Sequence, residues 1–254
     1  LNPIIPRATT KVLDALKIKD NLRNLSFLDE KAVLPNEKLV LALPKGRILE
    51  DVMPLVKRVG IVPEAAFDEG SSRKLRFATN YPELDIVRVR SFDVATFVAF
   101  GAAHFGVAGR DVLMEFDSAE IYAPVDLNIG HCRLIVAEPA DMATSDNPQR
   151  WSHVRVATKY PETTKRYFAA RGVQAECIKL NGAMEIAPSM GLCSRIVDLV
   201  STGSTMKANG LVEVEEISKI TSQLAVNRTA LKTRSFEMRC WIERFHEAVN
   251  VSVD

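Results

Sequence analysis

The sequence predicts an α/β protein in which parallel strands are covered by helices. Short apolar runs of strand length alternate with segments of helical periodicity. The strand-like runs lie at 39–43, 85–90, 105–109, 155–158, 176–180 and 196–200. This alternation is typical of parallel sheets with helices on their faces. In such folds ligands bind beyond the carboxyl ends of the strands.

The composition is that of an ordinary soluble globular protein. The chain has 254 residues, of which 47% are hydrophobic and 26% charged, which excludes disorder over the whole chain. Lys and Arg total 33 and Asp and Glu total 32, so the formal net charge is +1. A general nucleic-acid binder usually carries a larger basic excess, so nucleic acid is not an expected partner. The sequence contains no run of eighteen apolar residues, so no transmembrane helix is expected.

The cysteines and the N-terminal segment indicate a cytoplasmic protein. Cys132, Cys177, Cys193 and Cys240 have no CxxC spacing, which fits thiols in a reducing compartment rather than a zinc site or disulfides. Residues 1–37 lack the apolar core of a secretory signal and contain more acids than a transit peptide usually does. They are predicted to form a loosely attached N-terminal extension.

Two helices are predicted in the first part of the organised region. One follows the strand at 39–43 and ends at Gly60, with Pro54 inside it as the cause of a kink. The other follows the second strand, and Ser91 or Asp93 is expected to cap it.

The later part of the chain repeats this pattern. Helices are predicted at 163–170 and 183–192, between and after the strands. The polar stretch at 140–150 is predicted to be a surface loop. An amphipathic helix is predicted at 236–249.

The turn after the strand at 196–200 is the strongest candidate for a binding site. It consists of Ser201, Thr202, Gly203, Ser204 and Thr205. Backbone N–H groups and hydroxyls in such a turn can bind a phosphate, and a glycine lets the phosphate approach closely. Asp198 lies just upstream as an acceptor for ribose hydroxyls. An ordinary Ser/Thr-capped turn has the same composition, and the GxxxxGK[ST] pattern is absent.

Two basic loops are weaker candidates. Lys45, Gly46 and Arg47 follow the first strand, where cations oppose the dipole of the next helix and therefore indicate an anion between them. Arg73 lies in a basic loop that also contains hydroxyls. A solvated surface explains the first loop equally well, and it explains the second loop better than a binding site does. At Arg110-Asp111 a helix cap by Asp111 is the favoured interpretation.

Several segments resemble the ATP phosphoribosyltransferase family. The longest are 41–49 (LALPKGRIL), 105–113 (FGVAGRDVL) and 198–211 (DLVSTGSTMKANGL). Shorter ones are 72–75 (SRKL), 155–160 (RVATKY) and 180–188 (LNGAMEIAP). Their order and spacing match the family over about 38–249. Since the chain leaves no room after 249 for a histidine-binding C-terminal domain, the resemblance is to the short form of the family.

The resemblance implies a two-domain fold like that of type II periplasmic binding proteins, with the active site in the interdomain cleft. Domain I would comprise 38–125 and 217–254, and domain II would be the inserted segment 126–216. It also implies a dimer within a hetero-octamer that contains a regulatory subunit resembling a histidyl-tRNA synthetase.

The implied reaction is the first step of histidine biosynthesis. The phosphoribosyl group of phosphoribosyl pyrophosphate (PRPP) is transferred to N1 of ATP, and pyrophosphate is released. The leaving group is a highly charged anion, which Mg²⁺ and arginines stabilise best. Adenine N1 is unprotonated near neutral pH, so the main task is to position two anionic substrates.

The motif match also implies residue roles. Residues 201–205 would hold the 5-phosphate, and Asp198 would bind the ribose hydroxyls. Arg47 and Arg73 would face the ATP phosphates and the departing pyrophosphate, supported by Lys45 and Gly46. Glu185 would contact ribose or Mg²⁺. The metal ligands themselves are not assigned.

Other functions remain open at this point. A non-catalytic small-anion binding protein of the same architecture would bind one ligand without turnover and without Mg²⁺. The two separate anion-binding loops disfavour it. A phosphoribosyltransferase for another base and a regulatory or scaffold subunit are the remaining alternatives.

Overall fold

The described strands form two separate sheets, in a computed structural model that describes residues 38–68, 73–144 and 147–250. The predicted extension 1–37 lies outside these residues. The chain from Leu39 onward forms one compact unit. We call the six-stranded sheet with its helices the first lobe, and the five-stranded sheet with its helices the second lobe.

The first lobe has strand order β2-β3-β1-β4-β11-β5. Its strands are β1 (Leu39–Pro44), β2 (Arg76–Ala78), β3 (Leu84–Val89), β4 (Phe105–Gly109), β5 (Ile121–Asp126) and β11 (Ser222–Asn227). β1 pairs in parallel with β3 and β4, whereas β2, β5 and β11 pair antiparallel. The three central parallel strands are those that the apolar runs predict, because strands buried on both faces are continuously hydrophobic.

The second lobe has strand order β10-β6-β9-β7-β8. Its strands are β6 (Cys132–Pro139), β7 (His153–Thr158), β8 (Gln174–Lys179), β9 (Arg195–Val200) and β10 (Leu211–Ile220). β7 pairs in parallel with β8 and β9, and β6 pairs antiparallel with β9 and β10. β5 spans the predicted domain limit at 125/126 and β10 spans the limit at 216/217. The predicted domain division stays a prediction.

Eight α-helices connect the described strands. They are α1 (Arg47–Arg58), α2 (Ser91–Ala99), α3 (Arg110–Phe116), α4 (Ala140–Ala143), α5 (Pro161–Ala169), α6 (Ser204–Ala208), α7 (Arg228–Thr233) and α8 (Ser235–Asn250). In the first lobe Leu39, Leu41 and Leu43 face α1 and α8, while Val40 and Ala42 face α2. Both faces of this sheet are therefore covered, as the α/β prediction requires.

Three local predictions are wrong. The helix predicted at 183–192 is only a 3-10 turn at Met184–Ile186, because Ala183 enters it with a left-handed φ of 55° and Pro188 has no N–H to continue it. The loop predicted at 140–150 contains α4 and a 3-10 turn at Pro148–Arg150. Neither Ser91 nor Asp93 caps α2, whose N-cap position is Arg90 with no capping side chain.

No helix in the described ranges is long and apolar enough to cross a membrane.

Candidate active site

The carboxyl ends of the parallel strands in both lobes open onto one cavity of about 770 Å³. Its lining comprises Lys45, Arg90, Ser91, Phe92, Asp93, Glu115 and Phe116 from the first lobe and Lys159, Lys179 and Asn181 from the second. Each lobe contributes two cations to this lining, and the first lobe also contributes the carboxylates of Asp93 and Glu115, so four positive and two negative charges leave a net charge of +2. A cavity of this size and charge fits a polyphosphate ligand.

An aromatic contact joins the lobes at this cavity. The Lys159 Nζ lies 4.3 Å from the centre of the Phe92 ring. The Tyr160 ring packs on the same phenyl group, with 5.7 Å between ring centres. The cation–π contact holds the ammonium group of Lys159 at the lining.

A second, smaller cavity of about 100 Å³ lies at the end of β9 in the second lobe. Its polar lining comprises Glu185, Asp198, Ser201, Thr202, Gly203, Ser204 and Thr205. Gly203 has a left-handed φ of 75° and directly precedes α6, and the hydroxyl oxygens of Thr202 and Ser204 are 3.1 Å apart. Converging hydroxyls and backbone N–H groups at such a turn can bind one phosphate.

Asp198 is the titratable group of the smaller cavity. Burial raises the pKa of its carboxyl to about 6, and the charge of Glu185 adds to this rise. The Leu199 N–H donates to Oδ1 at 2.8 Å, and Lys159 also opposes the rise in the pKa. At neutral pH the group is mostly ionised and can accept hydrogen bonds from ribose hydroxyls.

The first basic loop lies at the start of α1. Gly46 occupies the N-cap position with a φ of 86°, a conformation that favours glycine. Arg47 is exposed at the first position of α1. Burial raises the pKa of the Cys132 thiol to about 11, and the charge of Arg47 opposes that rise, so Arg47 lies near the start of β6 in the other lobe.

The structure therefore brings together only part of the predicted site. Glu185, Asp198 and the five residues 201–205 line one cavity. Lys45 lines the other. Gly46, Arg47 and Arg73 line neither, and Arg73 is exposed ahead of β2.

Sequence reasoning missed several residues of the larger cavity. Arg90, Lys159 and Lys179 line it, together with Asn181 and Glu115. Arg90 ends a predicted strand, Lys159 follows one, and Lys179 lies one residue before the end of another. The rule that ligands bind at strand ends was therefore the signal that could have identified them. Asp111 does not cap α3: its buried carboxylate accepts a hydrogen bond from the Tyr160 hydroxyl at 2.9 Å.

No group of three or more His, Cys, Asp or Glu side chains in the described residues is arranged to hold a metal ion. Two carboxylates, Glu185 and Asp198, line the smaller cavity. Mg²⁺ commonly uses one or two carboxylates together with substrate phosphates. This donor set is compatible with such shared binding.

A two-lobed α/β fold with a phosphate-sized cavity beside a basic cleft defines a protein that handles phosphorylated small molecules. A family model described as ATP phosphoribosyltransferase matches residues 90–247. The chain belongs to the ATP phosphoribosyltransferase family, which confirms the resemblance found in the sequence.

Named relatives agree with this assignment. An ATP phosphoribosyltransferase of Paramagnetospirillum magneticum is 72% identical over 214 residues, which cover 84% of this chain and 98% of the relative. One from Rhodospirillum rubrum is 68% identical over 212 residues, which cover 84% of this chain and 93% of the relative. These relatives have about the length of the matched segment, as expected of a short form.

Solved structures agree with the fold. The ATP phosphoribosyl transferase (HisG:HisZ) complex from Thermotoga maritima is 32% identical with a TM-score of 0.71, covering 84% of this chain and 100% of that chain. A protein solved with bound L-arginine has a TM-score of 0.51 at 11% identity, over 83% of this chain and 84% of that chain. The second likeness concerns the fold alone. The predicted two-lobed α/β class is confirmed.

Proposed function

We propose that the cleft between the lobes is the active site at which this ATP phosphoribosyltransferase performs the first step of histidine biosynthesis. The enzyme forms N1-(5-phosphoribosyl)-ATP and pyrophosphate from ATP and PRPP. The observation that carries the proposed site is the placement of a phosphate-sized cavity in one lobe beside a basic cavity lined by both lobes.

PRPP occupies the second lobe in this proposal. The hydroxyls and N–H groups of residues 201–205 hold the 5-phosphate, and Gly203 allows its close approach. The ionised Asp198 accepts hydrogen bonds from the ribose hydroxyls, which orients C1 toward the cleft. These contacts bind the sugar without taking part in proton transfer.

ATP and the departing pyrophosphate occupy the larger cavity. Lys45 lines this cavity and faces their phosphates. Arg47 and Arg73 do not line it, and the family motif assigns them to the same phosphates. Lys159 and Lys179 add positive charge from the second lobe. Charge that develops on the leaving group is thereby neutralised in the cleft.

The chemical step needs no strong base. The bond from adenine N1 to C1 forms while the bond from C1 to the pyrophosphate oxygen breaks, and the ribosyl carbon carries positive charge as in glycoside cleavage. The N1 lone pair is available near neutral pH. The residues of both lobes therefore act mainly by bringing N1 and C1 into line.

Mg²⁺ fits the donor set of this site. Glu185 and Asp198 would hold it together with substrate oxygens, and the ion would supply charge neutralisation for the pyrophosphate. Hard oxygen donors from two carboxylates are what such shared binding needs.

The enzyme assembles with a regulatory subunit in this proposal. The Thermotoga maritima relative was solved as a HisG:HisZ complex and covers 84% of this chain. We infer a dimer of this chain within a hetero-octamer in the cytoplasm, where ATP and PRPP are made.

The test is turnover of the purified chain with ATP, PRPP and Mg²⁺, followed by ultraviolet absorbance and confirmed by the mass of phosphoribosyl-ATP. Product formation supports the proposal. If no product forms, calorimetry distinguishes two cases: binding of both substrates indicates an obligatory partner, whereas one small anion bound without turnover indicates the binding-protein alternative.

The role of Arg73 has its own test. Arg73→Ala is expected to lower kcat at least about tenfold, since it removes a charge from the leaving-group site. Thermal stability should stay unchanged because the side chain is exposed. Arg239→Ala, on the exposed face of α8, is the matched control. Wild-type kinetics in Arg73→Ala would remove this residue from the site.

A further inference from the structure

Contact between the two lobes is concentrated where α3 meets α5. Glu115 of α3 uses both carboxylate oxygens there. Oε1 accepts from the backbone N–H of Glu162 at 3.0 Å, and Oε2 accepts from that of Thr163 at 2.9 Å. These N–H groups lie in the first turn of α5 and have no partner within their own helix. A residue of the first lobe thus caps a helix of the second lobe.

The second lobe does not supply this cap itself. Tyr160 occupies the N-cap position of α5 without a capping side-chain hydrogen bond, and Pro161 follows it. A carboxylate at a helix N-terminus also interacts favourably with the helix dipole. The cap therefore ties the stability of α5 to the position of α3.

Two further contacts extend this junction. The Tyr160 hydroxyl donates to Asp111 Oδ2 at 2.9 Å, and both side chains are buried. Asp111 and Glu115 are four residues apart and lie on one face of α3. At the exposed rim, Arg166 donates to Asp117 Oδ2 at 3.1 Å and to the carbonyl of Met114. The Glu115 cap, the Tyr160–Asp111 hydrogen bond and the Arg166 contacts together are called the interlobe clasp.

The clasp is attached to both substrate regions. α3 directly continues β4, the neighbour of β1 and its Lys45 loop. On the other side, Tyr160 follows Lys159, which lines the larger cavity, as Glu115 does. β7 leads into α5 and pairs with β9, which ends at the phosphate cavity. A shift of α5 against α3 would therefore change the distance between the two substrates.

We propose that Glu115 is a positioning residue for phosphoribosyl transfer, because its cap on α5 holds the lobes at the spacing where the two substrates meet. The proposal rests on the proposed function. Transfer requires the reacting atoms to be aligned closely, and a displacement of about 1 Å costs up to about a hundredfold in rate. Loss of the cap should slow transfer more than it weakens binding of PRPP, whose 5-phosphate loop lies entirely in the second lobe.

The test compares Glu115→Ala and Glu115→Gln with the wild-type full chain. Glu115→Ala is expected to lower kcat at least about tenfold, with the KM for PRPP within about twofold of wild type. Glu115→Gln keeps one acceptor oxygen and should retain more activity. The control is Glu162→Gln, which changes an exposed carboxylate on the same helix end whose partner is Lys165 at 2.9 Å. It should behave as wild type.

Amide exchange tests the cap directly. The N–H groups of Glu162 and Thr163 should lose protection in Glu115→Ala and keep it in Glu162→Gln. An unchanged kcat in Glu115→Ala overturns the proposal, as does a parallel loss of kcat, PRPP binding and thermal stability. If Glu115→Ala does not fold, kcat, the KM for PRPP and amide protection are compared between Glu115→Gln and the wild-type chain instead. Absence of product from the wild-type chain, together with binding of only one small anion, would instead count against the proposed function.

Discussion

At the scale of single residues, Asp198 shows how burial sets the chemistry of the site. Its carboxyl lies in the small cavity beside Glu185, and burial raises its pKa to about 6. An acid whose pKa is higher in the folded than in the unfolded state binds its proton more tightly when folded. Its ionisation therefore costs stability as the pH rises from about 4 to about 6. This cost is compatible with a carboxylate retained for binding.

Asp198→Asn is expected to remove one pH dependence of PRPP use. In the wild-type enzyme kcat/KM for PRPP should rise as the pH passes through about 6, since in the proposed site the ionised group accepts from ribose hydroxyls. The variant should have a lower kcat/KM and lack this rise. Kinetics between about pH 5 and pH 8 measure it. A rise that persists equally in both proteins belongs to the substrate phosphate, which titrates in the same range, and would exclude Asp198.

At the scale of elements, helix ends and turns position the site. Gly203 enters α6 with a φ of 75°, and a Cβ there would meet Val200 Cγ1 at 3.6 Å and Met206 Cε at 3.7 Å, which are ordinary contacts. The cost of another residue is therefore backbone strain. Asn227 caps the start of α7. Its Oδ1 accepts from Ala230 N at 2.7 Å, and its Nδ2 donates to Val98 O at 2.8 Å.

Gly203→Ala is expected to destabilise the phosphate turn by about 1–2 kcal/mol through its left-handed backbone. The KM for PRPP should rise, because the turn relaxes away from the geometry that binds phosphate. Gly182→Ala is the control, since nothing lies within 4 Å of its added Cβ and no positive φ strains it. Equal KM values for Gly203→Ala and wild type would contradict the assigned role.

Asn227→Ala is expected to lower the free energy of unfolding by about 1.5–2.5 kcal/mol. It removes a helix cap, worth about 1 kcal/mol. It also removes the side-chain hydrogen bond to the Val98 carbonyl, worth about 0.5–1.5 kcal/mol, since that carbonyl still accepts from the Gly101 N–H at 3.1 Å. Urea denaturation measures the change. Asn147→Ala removes an exposed cap of Gln149 N at 3.0 Å and should cost less than about 1 kcal/mol. A similar loss for both variants would show that the buried bond contributes little.

At the scale of the whole molecule, the charge distribution matters more than the net charge. The formal net charge is only +1, yet four cations line the larger cavity. Exposed charges further apart than the Debye length, about 10 Å at 0.1 M salt, are largely screened from each other. Attraction of the anionic substrates is therefore local to the cleft.

Raising the ionic strength from about 0.05 M to about 0.5 M should lower kcat/KM for ATP, because salt screens this attraction. Lys179→Gln should show a shallower salt dependence than wild type. Lys57→Gln makes the same charge change on an exposed position of α1 that lines neither cavity. Identical slopes in all three proteins would show that Lys179 contributes no field at the site.

The sequence alone was informative where a local pattern has one structural solution. The strands β1, β3, β4, β7 and β9 contain buried residues and read as short apolar runs, and all five were predicted. The edge strand β8 was also predicted, at 176–180, although none of its residues is buried. The edge strand β10 was missed because it is not a continuous apolar run. Its polar residues include Glu213, Glu215 and Glu216. The turn at 201–205 and Asp198 were found because chemistry and strand end coincide within eight residues.

By itself the sequence determined the α/β class, the hydroxyl-rich turn at the end of β9 and, through its segments, membership of the ATP phosphoribosyltransferase family. Only the tertiary structure decided which distant residues meet. Lys45 and Lys179 share one cavity although 134 positions separate them along the chain. Glu115 caps a helix that begins at Pro161, and Asp111 pairs with Tyr160 rather than capping its own helix. Local sequence patterns do not predict such contacts, because these contacts depend on how the two lobes pack against each other.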